Sequence, residues 1–97
     1  MGWKTLRANG TGQGNTGIGY RTLENNVNAD SNTAIGREAL GANTTGSDNT
    51  AVGYNALISN VSGVANTAVG IQTKNGGFSG ATIFGWGATA TASNQFV

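Results

Sequence analysis

The sequence predicts an all-β chain wound into one parallel β-solenoid of about six short coils, spanning residues 1–97 as a single repeat domain. Three observations predict it. Glycine recurs at Gly2, Gly19, Gly36, Gly53, Gly70 and Gly85, so the first four intervals are 17 residues long. Between these glycines the same chemical types return in the same columns. The chain is also rich in Gly, Asn and β-branched residues, which disfavours helix. A 17-residue period is too short for helix-pair repeats and does not follow the 3.5-residue spacing of a coiled coil.

The first repeat, Gly2–Ile18, introduces the columns: Leu6 four residues after the boundary glycine, Asn9 seven after it, then Asn15-Thr16 and a terminal Ile18. The second repeats them as Leu23, Asn26, Asn32-Thr33 and Ile35. Leu40, Asn43, Asn49-Thr50 and Val52 follow in the third, and Leu57, Asn60, Asn66-Thr67 and Val69 in the fourth. The fifth and sixth repeats shorten. Lys74 and Thr89 replace the leucine, and Phe84 and Val97 end the apolar column.

These patterns predict strands near Thr16–Leu23, Thr33–Leu40, Thr50–Leu57 and Thr67–Thr73, each interrupted at its central glycine. The Asn/Gly/Ser/Asp segments between them form turns. Coils stacked about 4.8 Å apart would make a body about 25 to 30 Å long, with the Asn columns bonded as amide ladders from coil to coil.

Composition excludes several function classes. With no Cys and no His, the chain has no thiolate nucleophile, no disulfide framework and none of the commonest metal ligand. No cofactor site is expected. The net charge of +1 supplies no field for nucleic acid. No window approaches the roughly 20 apolar residues of a membrane span, so membrane insertion is not expected. Gly12, Gly14 and Gly17 match the spacing of a dinucleotide fingerprint, with Glu38 further on, but they fall in repeat columns and no βαβ unit surrounds them.

One coil offers two large apolar side chains, which is a thin core for a chain of this size. Self-association is the simplest remedy, and a homotrimer is predicted. One sheet of each copy would face the axis and bury the ladder Ile18, Ile35, Val52, Val69 and Phe84 together with the small Ala/Gly column. Leu23, Leu40 and Leu57 would complete the core, with the Asn/Thr/Ser turns outside. The terminal coils, Met1–Gln13 and Ile83–Val97, are expected to expose sheet edges and carry partner contacts.

Asn49-Thr-Ala-Val-Gly-Tyr-Asn-Ala-Leu57, Asn32-Thr-Ala-Ile-Gly-Arg-Glu-Ala-Leu40 and Asn15-Thr-Gly-Ile-Gly-Tyr-Arg-Thr-Leu23 resemble the repeats of trimeric autotransporter adhesin heads and of phage tail-fibre and virion-surface proteins. The similarity covers nearly the whole chain, although adhesin heads commonly use shorter repeats. The resemblance implies a left-handed β-roll assembled from three copies. It also implies a non-catalytic structural protein of a phage virion, serving as capsid cement, decoration or a tail-fibre segment on the virion surface. Its partners would be itself and other capsid or tail proteins. The alternative is the carbohydrate- or matrix-binding head of a cell-surface adhesin, extracellular and directed at a host-surface glycan.

Trp3, Tyr20, Tyr54 and Trp86 stand directly after boundary glycines and are the candidate partner contacts; Arg37 and Ile71 share their column. They are expected to pack within or between protomers, with stacking on sugar rings as the alternative use. The acids Glu24, Asp30, Glu38 and Asp48 fall in four different columns and are expected to be solvated rather than paired for glycoside hydrolysis. The sequons at Asn9, Asn43 and Asn60 arise from repeat columns and are expected to be unmodified. The Thr16, Thr33, Thr50 and Thr67 column also fits a water-ordering face of the kind used by ice-binding solenoids, though without a second threonine column.

Overall fold

The computed structural model describes all of residues 1–97. Five three-residue strands form one parallel sheet in sequential order: β1 (Thr16–Ile18), β2 (Thr33–Ile35), β3 (Thr50–Val52), β4 (Thr67–Val69) and β5 (Thr82–Phe84). The chain therefore completes about four turns between β1 and β5. The register follows the sequence columns, pairing Thr16 with Thr33, Thr33 with Thr50, Thr50 with Thr67 and Thr67 with Thr82.

The six coils expected become five strands because each end contributes only part of a rung. Met1 alone stands beside β1, its amino group donating to Gly17 O and its carbonyl accepting from Gly19 N. At the other end Phe96 makes a single bridge to Thr82. No helix is long and apolar enough to cross a membrane.

Strands are shorter than the patterning predicts. After Ile18, Ile35 and Val52 the chain turns a corner in which Arg21, Glu38 and Asn55, then Leu23, Leu40 and Leu57, adopt positive φ of 49–61°. Such a conformation is uncommon for residues other than glycine, and here it recurs in every regular coil. It swings each leucine inward across the coil. The boundary glycines have a conformational and a steric reason. Gly53 has φ 130°, and a Cβ there would lie 2.6 Å from Gly70 O in the next coil.

The interior differs from the expected one in two respects. First, the small Ala column does not share the face of the Ile/Val/Phe column: the alanines are buried within the chain, whereas Ile18 is 43% exposed and Phe84 48%. On a three-residue strand the first and third side chains share a face and the middle one takes the other. Burial of Ala34, Ala51, Ala68 and Ile83 thus turns Thr and Ile/Val outward. Leu23, Leu40 and Leu57 are buried as expected, packed against the alanines.

Second, the Asn columns are inside rather than on external turns. Asn26, Asn43, Asn60 and Asn75 each donate through Nδ2 to the preceding Asn Oδ1, at 2.8, 3.0, 2.8 and 2.6 Å. The same Nδ2 atoms also donate to the carbonyl three residues on, as from Asn43 to Gly46 O at 2.9 Å. In the second ladder the amide oxygens of Asn15, Asn32, Asn49 and Asn66 accept from the backbone N–H of the next coil at 2.9–3.0 Å. Buried polar side chains are tolerated here because the ladder satisfies them. Asn43 and Asn60 are fully buried, so these sequon amides are committed to the core.

Candidate functional site

The outward face of the sheet is the most regular surface on the molecule. Its central columns are Thr16, Thr33, Thr50, Thr67 and Thr82 beside Ile18, Ile35, Val52, Val69 and Phe84, the first strand residue and the third. Beyond the corners at either end of each strand stand further exposed side chains. Asp48, Thr50, Val52 and Tyr54 lie outward on one rung, while Asn49 and Ala51 are buried between them. On the preceding rung the outward set is Ser31, Thr33, Ile35 and Arg37. One flank is therefore Gly14, Ser31, Asp48 and Ala65; the other is Trp3, Tyr20, Arg37, Tyr54, Ile71 and Trp86.

Five rungs spaced about 4.8 Å, each three extended residues wide at about 3.3 Å per residue, make a face of about 200 Å². Along it the apolar side chains of Ile18, Ile35, Val52, Val69 and Phe84 follow one another from rung to rung. The exposed apolar residues therefore form a connected feature rather than isolated surface hydrophobes.

The four aromatic contact candidates divide into two arrangements. Trp3 and Tyr20 stack with ring centroids 5.3 Å apart and planes inclined by 22°. Above them the Arg37 guanidinium lies between two rings, with Cζ 5.2 Å from the Tyr20 centroid and 6.0 Å from that of Tyr54. Lys4 Nζ covers Trp3 at 4.5 Å. Trp3, Tyr20, Arg37 and Tyr54 thus form one stacked column in which ring faces meet within the chain. Stacking on a sugar needs an open ring face, which the middle of this column does not offer. Trp86 is different: it is 76% exposed, in the same column beyond Ile71.

A second constellation lies beyond the corner. Arg21 Nε donates to Glu24 Oε2 at 2.6 Å, and its Nη1 is 3.6 Å from Glu38 Oε1; Arg7 Nη1 is 3.6 Å from Glu24 Oε1. Arg21, Glu24 and Glu38 border a shallow pocket of about 220 Å³, lined also by Asn25, Gly41, Ala42 and Ile58. Glu24 is buried and Glu38 half-buried, so the expectation of four separate solvated acids does not hold for this pair. The sequence signal was the three-residue Arg21–Glu24 spacing together with the 17-residue step from Arg21 to Glu38.

The chemistry is that of an ion-pair cluster. The hydrogen bond from Arg21 holds the Glu24 carboxyl below its ordinary value, outweighing the opposing effect of burial. Arg21 is correspondingly raised, first by that same hydrogen bond. A glycosidase general acid needs the reverse shift. Asp30 and Asp48 stand on the opposite side of the strands, where Asp30 Oδ1 accepts from Gln13 N at 2.7 Å. Gly12, Gly14 and Gly17 belong to a turn and to β1, which leads into a corner rather than a helix.

Comparison with known protein families, curated proteins and solved structures finds no match to this chain.

Proposed function

We propose that the chain is a non-catalytic structural protein that assembles through its sheet face into a homotrimeric β-roll. In this reading it belongs to a phage virion, as capsid cement, decoration or a tail-fibre segment. The observation that carries self-assembly is the unbroken outward ladder Ile18, Ile35, Val52, Val69 and Phe84 on an in-register parallel sheet. An apolar column of this kind is costly to leave in water, and a copy of the same chain offers a matching repeat distance. The virion setting and the left hand of the roll draw their support from the repeat resemblance. Docking onto other virion proteins would use the terminal coils.

Rigidity is the mechanism. Interior strands are paired on both sides, and the Asn ladders link every regular coil to the next, so local opening must break several bonds together. Sedimentation equilibrium tests the assembly. A species of three times 9.7 kDa is expected for the parent chain and a monomer for Val52→Asp. A parent chain that stays monomeric at high concentration refutes the reading.

Trp86 favours the alternative, a carbohydrate- or matrix-binding adhesin head, because its indole lies outside the aromatic and cation stack. A glycan array probed with the parent chain and with Trp86→Ala separates the two. Binding lost in the variant supports the adhesin reading, and no binding by the parent removes it.

A further inference from the structure

From the two flanks of the sheet face we infer that Arg37 of one copy pairs with Asp48 of the next. The pair would close a head-to-tail ring and set the order of copies around it. This rests on the self-assembly reading above and adds to it the contact that makes the interface directional.

The charge inventory points to these two residues. The ion pairs of the chain join Arg7, Arg21, Glu24 and Glu38, all beyond the corner, and Asp30 is occupied by the Gln13 N–H. Arg37 and Asp48 have no oppositely charged partner, both are exposed, and each lies two residues beyond the end of a strand of the apolar face. They occupy opposite flanks: Arg37 follows β2 and Asp48 precedes β3, so they stand one rung, about 4.8 Å, apart in height. A surface with an unpaired cation on one edge and an unpaired anion on the other is complementary to its own copy placed edge to edge. Repeated with a rotation, that contact closes into a ring.

Arg37 is also prepared for the role. Its planar guanidinium stands between Tyr20 and Tyr54, with Cζ 5.2 and 6.0 Å from the two ring centroids. The N–H groups of a guanidinium radiate in that plane, a fork that matches a carboxylate. Immobilising the side chain within the protomer lowers the entropy lost when the pair forms. Asp48 sits at φ 62°, in the corner conformation shared by Ser31 and Ala65, which fixes its backbone at the rim of the face. Lys4 and Lys74 are the other side-chain cations without a carboxylate partner, and the Met1 ammonium donates to Gly17 O. Lys4 lies against Trp3, and Lys74 stands in the leucine column away from the face.

Charge exchange tests the pair on the intact chain. Arg37→Glu and Asp48→Lys are each expected to weaken assembly about tenfold or more, read by sedimentation equilibrium and native mass spectrometry. Arg37→Glu/Asp48→Lys should restore most of that loss, because the pair is re-formed with reversed sign. Asp48→Lys leaves the aromatic stack untouched, so its effect cannot come from a disturbed Tyr20–Tyr54 column. Raised salt should weaken the parent assembly but not change the double variant's rank. If Val52→Asp dissociates the assembly while both single variants assemble normally, the sheet-face reading stands and the charge pair is overturned. A double variant as weak as the two losses combined also overturns it. A monomeric parent overturns both. Binding of poly-glutamate to the parent, lost in Arg37→Glu, with assembly unchanged in that variant, reassigns Arg37 to an external acidic partner.

Discussion

The regular coils, residues 2–69, and the shortened end, residues 70–97, solve the same packing problem in different ways. In the regular coils a leucine at positive φ reaches inward from the corner and meets a small residue on the strand, as Leu40 and Leu57 meet Ala51 and Ala68. At the end the corner side chain is Lys74, which turns outward, and the strand position that was alanine becomes Ile83. Ile83 is fully buried. Apolar volume has moved from corner to strand. What the interior needs is a filled cross-section, and either wall of the coil can supply it.

The Asn ladders show the same economy at the junction. Deleting two residues would be expected to end the ladder that runs through Asn60, yet Asn75 takes the next place at 2.6 Å from Asn60 Oδ1. The deletion falls between Lys74 and Asn75, removing the positive-φ leucine corner but not the amide. The second ladder does end: Ala81 stands where an asparagine would, and its backbone N–H still accepts the role of donor to Asn66 Oδ1 at 2.9 Å.

The most severe way to break the comparison is at the boundary glycines. Gly53→Ala combines φ 130° with a Cβ 2.6 Å from the next coil's carbonyl, whereas Gly85→Ala has φ 109° and open space. Losses of about 4 kcal/mol and about 1 to 2 kcal/mol are expected from denaturant unfolding. Equal losses would show that the regular stack is no tighter than its end.

Next comes the asparagine ladder. Asn43→Ala removes donors to Asn26 Oδ1 and Gly46 O and the acceptor for Asn60, all buried; about 3 kcal/mol is expected. Asn75→Ala should cost less, about 2 kcal/mol, because the bond its Oδ1 accepts comes from the exposed Gly77 N–H, which water can replace, rather than from a buried ladder amide.

Core truncation sharpens the idea of relocated volume. Leu40→Ala and Ile83→Ala should each cost about 2 to 4 kcal/mol although they lie on opposite walls of the coil. A small loss at Ile83 would mean that the end is loosely packed rather than differently packed.

The smallest effect is a pH response confined to the regular half. Arg21 lowers the folded-state pKa of Glu24, so the unfolded chain takes up protons first as the medium is acidified. The pair's contribution is therefore complete above the ordinary carboxylate value and is lost as pH falls through the depressed folded value. Glu24→Gln should flatten that acid limb in a melting-temperature profile, and residues 70–97 contribute no Asp or Glu side chain to it.

Much of the architecture was legible in the chain because its information is periodic. The 17-residue step places Thr33 beside Thr50 and Ala34 beside Ala51, so the parallel register follows from counting, as does the inward position of Leu23, Leu40 and Leu57. The aromatic column was legible too, but not its state. Nothing in the spacing of Tyr20, Arg37 and Tyr54 says that a guanidinium stands between the two rings. That depends on side-chain torsions after the corner.

The direction of the apolar ladder was likewise beyond the sequence. Thr-Ala-Ile alternates whichever way it faces, and hydrophobicity alone argues for turning isoleucine inward. The tertiary structure decided otherwise because the Leu corners and two Asn ladders already occupy the coil's interior. Only alanine-sized side chains fit opposite them until Lys74 leaves room for Ile83. Periodicity along the chain thus determined which residues stack on which, while the width left inside each coil decided which of two alternating faces meets water.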